Sequence, residues 1–320
     1  MRKLGVCANF INDNYRRRIT EAAESWGFAP TFYPDPQAIE PDLGEYEVIF
    51  GRPDPEKLKK AKNLRWMCSE FAGVEPYLPD HIWPCPACIL SNSSGAYGPT
   101  ISEHIVMVLL MLLRRMPEYR PIVDDREWTR LEPIRSVTGS HVVLLGCGDI
   151  GSNTARRLKA LGARVTGVCR SGTSGESAFD AVYPIGELEK VLPTADALIM
   201  SLPFTAATER LLSRERIALL PRQCLVINVG RGRTVDQQAL VEALENGAIA
   251  GAALDVADPE PLPKDHSLWS CPNTIITPHC SGNMALGLTC DLAVELFLRD
   301  LKRYAQGLPL LNRVDRALGY

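Results

Sequence analysis

Nothing in this 320-residue chain is apolar for long enough to cross a bilayer. The longest apolar run, residues 105–113, stops at Arg114 and Arg115, far short of the ~20 residues a spanning helix needs. The amino terminus, MRKLGVCANF, lacks an extended apolar core and a small-residue cleavage site, so no signal peptide is read there. An excess of one charge is missing too. The 35 Lys and Arg face 38 Asp and Glu, a formal charge of −3, which gives no polyelectrolyte reason to expect nucleic acid or an anionic membrane as partner. There is no internal repeat and no low-complexity stretch. Metal-ligand spacing is also wanting. The ten cysteines are scattered, and only Cys85 and Cys88 form a C-x-x-C pair, with neither a second pair nor an H-x3-H to follow. Those two read as thiols in a proline-rich loop, WPCPAC, and no metal is expected. A chain this long can bury a core without disulfides, so with no secretion signal its thiols are expected reduced and the protein cytoplasmic.

What is present is a soluble, globular composition, 46 % hydrophobic and 23 % charged, with room for two domains. Strands are read at residues 4–8, 46–50, 64–68 and 89–92, with helices at 15–26, closed by Gly27, and at 55–61. Pro99 then opens a long helix over 100–115, so apolar all round that it needs cover on several sides. From His141 the alternation restarts. VVLLG, ARVTGVC, ALIMSLP, CLVINVG, GAALDV and TIITPH read as strands; the helix before ARVTGVC ends at Gly162 and Asp236 caps QQALVEALENG. Strands alternating with helices imply parallel sheets covered on both faces. A final helix over 286–306 follows a finished sheet and is expected to return to the first unit. The expected domains are therefore 1–98 with 284–320, and 99–283.

The strongest local motif is Gly146-Cys147-Gly148-Asp149-Ile150-Gly151, placed after a strand and opening a helix. In G-x-G-x-x-G the first glycine permits a tight turn, the second admits a pyrophosphate to the backbone, and the third lets helix and strand pack closely. The free N–H groups and positive dipole end of the helix then face the phosphates. Four further residues stand at predicted strand ends, where open parallel sheets bind ligands: Arg231 in NVGRGR, Asp255 and Glu260 in ALDVADPEPLP, and His279 in ITPHCSG. Each alone is ordinary for a loop. Together they supply what reduction of a 2-keto acid requires. A protonated imidazole donates to the carbonyl oxygen as charge develops there. A carboxylate on its other nitrogen fixes the tautomer, and a guanidinium forks onto the substrate carboxylate as lysine cannot. His279 is thus read as acid/base, Glu260 as its partner and Arg231 as anchor.

The series GCGDIG, SLPFTAAT, NVGRGRTVDQQAL, ALDVADPEPLP and LWSCPNTIITPHCSG closely resembles the D-isomer-specific 2-hydroxyacid dehydrogenases, and the likeness covers nearly the whole chain. The resemblance implies a Rossmann dinucleotide-binding domain beside a discontinuous flavodoxin-like α/β substrate domain, and a twofold homodimer built through the 100–115 helix. It implies a small 2-keto/2-hydroxy acid pair as substrate, glyoxylate or hydroxypyruvate favoured, and no appended regulatory domain. It makes Arg231, Glu260 and His279 the catalytic residues. It places Ala72, Gly73 and Val74 at the substrate carboxylate, with Arg231 and His279. The cofactor is given Gly146, Gly148, Asp149, Ile150, Gly151, Leu202, Pro203, Val229, Gly230, Asp255 and Gly282. Asn92 and Ser281 are read as ligand contacts or as residues that merely hold loops, and Phe71, Tyr77, Tyr97 and Trp269 as pocket or core.

One departure bears on the cofactor. Cys169 stands where NAD-using relatives carry a ribose-binding aspartate, and Arg170 and Ser171 follow it. NADP(H) is therefore the expected cofactor, with NAD(H) also usable. Two other readings remain open. In formate dehydrogenases of the same superfamily a glutamine replaces the glutamate, against which Glu260 stands. A cofactor-sensing binding protein of the corepressor type would share fold and triad.

Overall fold

The computed structural model describes residues 1–319. Its chain divides into two compact units, Met1–Tyr97 with Asn283–Tyr320, and Gly98–Gly282.

In the first unit, short apolar runs form β1 (Arg2–Val6), β2 (Phe28–Phe32), β3 (Val48–Phe50), β4 (Trp66–Cys68) and β5 (Ile89–Ser91), all parallel. The order β2-β1-β3-β4-β5 is the flavodoxin-like one. Side chains alternate between two buried faces, as a strand's period of two dictates. Ile49 and Met67 join Leu43, Leu58 and Tyr77 on one side, while Val48, Phe50 and Trp66 join Phe297 and Leu301 on the other. The helix α1 (Asp13–Ser25) begins where the Asn12 side chain accepts the Tyr15 N–H at 3.0 Å, and Gly27 turns the chain at φ +83° after its end. The C-terminal helix Gly287–Ala305 completes this unit. Phe297 stacks on Phe50 at 4.2 Å and lies 5.6 Å from Trp66, so residues almost 250 positions apart share one core, roughly what an aromatic cluster needs to fix a helix on a sheet.

The second unit opens with α2 (Gly98–Leu113) and α3 (Met116–Asp124), followed by β6 (His141–Leu145), α4 (Asp149–Ala160), β7 (Arg164–Cys169), β8 (Ala181–Pro184), β9 (Ala197–Met200), β10 (Leu225–Asn228), β11 (Gly251–Leu254) and β12 (Thr274–Ile276). All seven strands are parallel in the order β12-β11-β10-β9-β6-β7-β8. That is a doubly wound Rossmann sheet. Its direction of winding reverses at β6, which pairs with both β7 and β9, and ligands of such sheets bind outside the strand ends at that switch. The helix α2 packs on α4 and reaches β10 and β11. Among the described residues no helix is long and apolar enough to cross a membrane, and no three His, Cys, Asp or Glu gather as a metal site.

Several elements differ from the sequence reading for physical reasons. The strands β2 and β8 were not anticipated. Both are sheet edges and both carry proline, Pro30 and Pro184, which an edge tolerates because one side of the ladder is unpaired. The long helix runs from Gly98 to Leu113 rather than over 100–115, because Arg115 turns left-handed at φ 58°. The unexpected α3 then starts with Pro117 in its first turn. Residues 55–60 form a 3-10 helix, Pro55–Lys60. Nor is α2 covered all round: Met107 is 48 % and Leu110 38 % exposed.

Candidate active site

The end of β6 builds a cradle out of glycines. Gly146 takes φ +106°, a conformation L side chains rarely adopt. A Cβ on Gly151 would lie 1.9 Å from the Gly146 carbonyl oxygen, so only glycine lets α4 sit this close to β6. Gly148 is the opposite case. A Cβ there would meet nothing within 4 Å, and as N-cap of α4 it leaves the helix end without a side-chain cap. Open space beneath uncapped N–H groups suits an anion. Asp149 does something else: its carboxylate accepts the Gly98 N–H at 2.7 Å and the Asn153 amide at 3.0 Å, tying α2 to α4. Ile150 follows, half-buried.

Neighbouring strand ends extend the cradle. Leu202 and Pro203 follow β9, and a Cβ on Gly230 would come within 2.6 Å of the Leu202 carbonyl oxygen. The Val229 N–H meets the Met200 carbonyl at 3.0 Å. At the end of β7 the Cys169 thiol lies 3.5 Å from the Ser171 hydroxyl and 3.4 Å from the Thr173 carbonyl oxygen. Ser171 donates to that same carbonyl at 3.1 Å, so its hydroxyl closes the local turn, while Arg170 is exposed.

The candidate catalytic side chains follow β10, β11 and β12. Arg231 follows β10 in a loop held by the buried Asn228, whose side chain accepts the Gly230 N–H and donates to the Arg231 carbonyl, both at 3.0 Å. The Arg231 guanidinium itself donates to the Gly230 carbonyl at 2.8 Å. A Cβ on Gly232 would lie 2.0 Å from the Ala257 carbonyl oxygen, so glycine lets this loop press against the one after β11. There Glu260 accepts the Ala257 N–H at 3.0 Å with Oε1 and meets His279 Nδ1 with Oε2 at 2.8 Å. Both side chains remain partly exposed, 47 % for His279 and 39 % for Glu260.

Asp255, only 2 % exposed, grips the turn that carries the histidine. Its Oδ1 accepts the Thr277 hydroxyl at 2.6 Å and the Cys280 N–H at 2.9 Å, and its Oδ2 accepts the Ser281 N–H at 3.0 Å. His279 sits inside that turn at φ 51°, and Gly282 directly follows Ser281. Both carboxylate oxygens are thus committed to holding the turn. Thr277 and Asn228, absent from the sequence reading, belong to this support; their signal was only a polar residue at a strand end. His104 of α2 lies 3.5 Å from the Thr277 hydroxyl, and burial holds its pKa below the ordinary histidine value.

In the first unit, the loop after β4 carries Ala72, Gly73 and Val74. Their N–H groups are not taken up by any backbone carbonyl of the described residues. Asn92 holds the loop, donating to the Ala72 carbonyl at 2.8 Å. Tyr77 and Tyr97 are core: their hydroxyls donate to the carbonyls of Pro53 and Glu70. Phe71 is half-buried beside Tyr97, and Trp269 is 54 % exposed.

A family model for the D-isomer specific 2-hydroxyacid dehydrogenase NAD-binding domain matches residues 106–281. The structure of a D-isomer specific 2-hydroxyacid dehydrogenase family protein from Aeromonas salmonicida is similar at a TM-score of 0.85 and 33 % identity, over 98 % of this chain and 99 % of that one. An NADPH-dependent glyoxylate/hydroxypyruvate reductase from Sinorhizobium meliloti, in complex with NADP and sulfate, is similar at a TM-score of 0.82 and 26 % identity over all of both chains. A glyoxylate/hydroxypyruvate reductase of Arabidopsis thaliana is 28 % identical over 95 % of this chain and 92 % of its own length. The open space at Gly148 and the uncapped end of α4 fit the pyrophosphate of the dinucleotide such proteins use.

The grip of Asp255 can be loosened by one atom exchange. In Asp255→Asn an amide N–H faces one of the donors, so the 277–281 turn should lose about 1–3 kcal/mol. Thermal unfolding should show a lower midpoint and hydrogen exchange a faster Ser281 amide. An unchanged midpoint with unchanged protection would contradict this account of the turn.

Proposed function

The chain belongs to the D-isomer-specific 2-hydroxyacid dehydrogenase family, and we propose that it reduces small 2-keto acids, glyoxylate to glycolate or hydroxypyruvate to D-glycerate. It is an NAD(P)-dependent oxidoreductase acting on the CH–OH group of donors, as its relatives are. The observation that carries the proposal is the 2.8 Å contact between His279 Nδ1 and Glu260 Oε2. With Nδ1 engaged, Nε2 is the nitrogen that gives a proton to the substrate carbonyl oxygen, and the Glu260 carboxylate fixes the tautomer and orientation of the ring. Arg231 binds the substrate carboxylate with a two-pronged guanidinium. In the other unit, the N–H groups of Ala72, Gly73 and Val74 offer donors to the same kind of group, which makes that unit the substrate domain. Gly146 to Gly151, Leu202, Pro203, Val229, Gly230 and Gly282 hold a nicotinamide dinucleotide, which when bound supplies the hydride. Asp255 serves chiefly by fixing the histidine turn.

Glu260 on His279 is what a keto acid needs and formate does not, since formate has no carbonyl oxygen to protonate. No observation favours the corepressor-type alternative. A panel of 2-keto acids tests substrate class: glyoxylate and hydroxypyruvate should give the highest kcat/KM, and a preference for bulky aromatic keto acids would overturn it. In His279→Ala the rate should fall by ~10²–10⁴-fold while dinucleotide affinity survives. A loss below about tenfold would contradict the acid role.

The cofactor we propose is NADP(H) in preference to NAD(H). Cys169 brings no carboxylate to repel a 2′-phosphate. Arg170 is an exposed cation beside it, a guanidinium suited to phosphate oxygens. One charge-assisted hydrogen bond is worth roughly 1.5–3 kcal/mol, about ten- to a hundredfold in affinity. Titration of both reduced cofactors should therefore show tighter NADPH binding, and Arg170→Ala and Cys169→Asp should each move the ratio toward NADH. Native preference for NADH would reverse the assignment.

We propose further that the protein is a twofold homodimer. Met107, Leu110, Met116, Val123 and Ile134 leave apolar surface exposed on and after α2, and Trp128 is 99 % exposed. Such a surface asks for a partner. Light scattering at micromolar concentration should report twice the 35.3 kDa chain mass, and a 35.3 kDa particle would refute the dimer.

A further inference from the structure

The segment 83–88 enters β5 at its amino-terminal end, whereas Asn92 and the Ala72 loop lie beyond its other end. The turn is tied from several sides. The Cys88 N–H donates to the Cys85 carbonyl at 3.2 Å. From the C-terminal tail, Arg316 donates to the carbonyls of Cys88 at 2.9 Å and Pro86 at 3.3 Å, and its guanidinium lies 5.0 Å from the centre of the Trp83 ring. This scaffold holds two free thiols face to face, Cys85 Sγ and Cys88 Sγ at 3.2 Å. Their surroundings differ. Cys85 is partly exposed, with the Arg65 guanidinium 3.8 Å from its sulfur. Cys88 is 4 % exposed, with its sulfur 3.1 Å from the Leu64 carbonyl oxygen. Zinc would need two more ligands, and no group of three or more His, Cys, Asp or Glu gathers among the described residues.

We propose that Cys85 and Cys88 form a redox-active dithiol, a thiol–disulfide exchange site for low-molecular-weight disulfides that is separate from the keto-acid site. The division of labour follows from the geometry. Cys85 is the attacking sulfur: the hydrogen bond from Cys88, then nearby backbone N–H groups and Arg65, hold its pKa below the ordinary thiol value against the opposing effect of burial. Cys88 is the resolving sulfur, pushed up to about 11 by burial and by its bond to Cys85. The Cys85 thiolate attacks one sulfur of a disulfide RSSR, a mixed disulfide forms, and RS⁻ leaves and takes a proton from water. Capping Cys85 removes its charge and its hydrogen bond from Cys88. Cys88 then gives up its proton and attacks the Cys85 sulfur, expelling the second RS⁻. Two protein thiols and RSSR become one protein disulfide and two RSH, with the two electrons passing to RSSR. The sulfurs already touch, so closure needs little backbone movement.

Glutathione disulfide is the probe, added to the intact, fully reduced protein and followed by peptide mass spectrometry. Native protein should lose two hydrogens in the peptide holding both residues, and dithiothreitol should restore them. Cys88→Ser should stop at a glutathione adduct on Cys85, and Cys85→Ser should form neither product. A second reading needs no variant. Cys280 is the more exposed thiol, yet burial of its sulfur and the charge of Asp255 raise its pKa. Near neutral pH, iodoacetamide should therefore label Cys85 several-fold faster than Cys280. Both thiols surviving glutathione disulfide, or Cys280 labelling first, would overturn the proposal.

Discussion

A carboxylate taken out of water is costly unless donors replace the water it leaves. Asp255, at the end of β11, is in that position, and the donors that replace its water are a hydroxyl and two N–H groups from residues 277–281. Asp255 thus replaces its lost water with donors from the turn, and the turn is held by the same three bonds. His279 is held within it at φ 51°, a left-handed backbone that costs a non-glycine residue on the order of 1–3 kcal/mol and persists only where the surroundings over-determine it. The same carboxylate that stabilises the loop thus aims the imidazole. Glu260 can reach Nδ1 because its own strand end is pressed against the Arg231 loop at Gly232.

The rest of the second unit repeats this logic at the switch of the sheet. Chain reversal at β6 leaves a space outside the strand ends, glycines keep it clear of side chains, and the end of α4 points uncapped N–H groups into it. In the reading proposed above, anion recognition is a backbone property there, and proton handling belongs to side chains after β10 to β12. One parallel sheet would so supply both halves of a hydride-transfer site.

Much of this was legible in the residues because the requirements are local. Gly146 and Gly151 announce the cradle since each answers a steric demand within six residues, while Gly148 leaves the space between them open. Arg231 and His279 stand close after apolar runs, and Glu260 lies in the proline-rich loop after another, so their strand ends could be read from the pattern alone. What escaped were the hydrogen bonds such residues make within the fold. The carboxylate of Asp149, expected at the phosphates, also accepts the Gly98 N–H, 51 residues away. Asp255, expected at the cofactor, also holds a turn 22 to 26 residues on. The hydroxyl of Ser171 donates to the Thr173 carbonyl two residues along the chain. The strands β2 and β8 hid behind prolines that an edge position permits. Residue type and position along a strand pattern do not carry that information.

The account's central claim is that Glu260 orients His279 for proton delivery through the 2.8 Å contact at Nδ1. The kcat/KM for glyoxylate and the affinity for the dinucleotide test it together, with native protein compared with Glu260→Ala. Loss of the orienting carboxylate should lower kcat/KM by about tenfold or more while dinucleotide affinity stays as it is. An unchanged kcat/KM would contradict the pairing of Glu260 with His279.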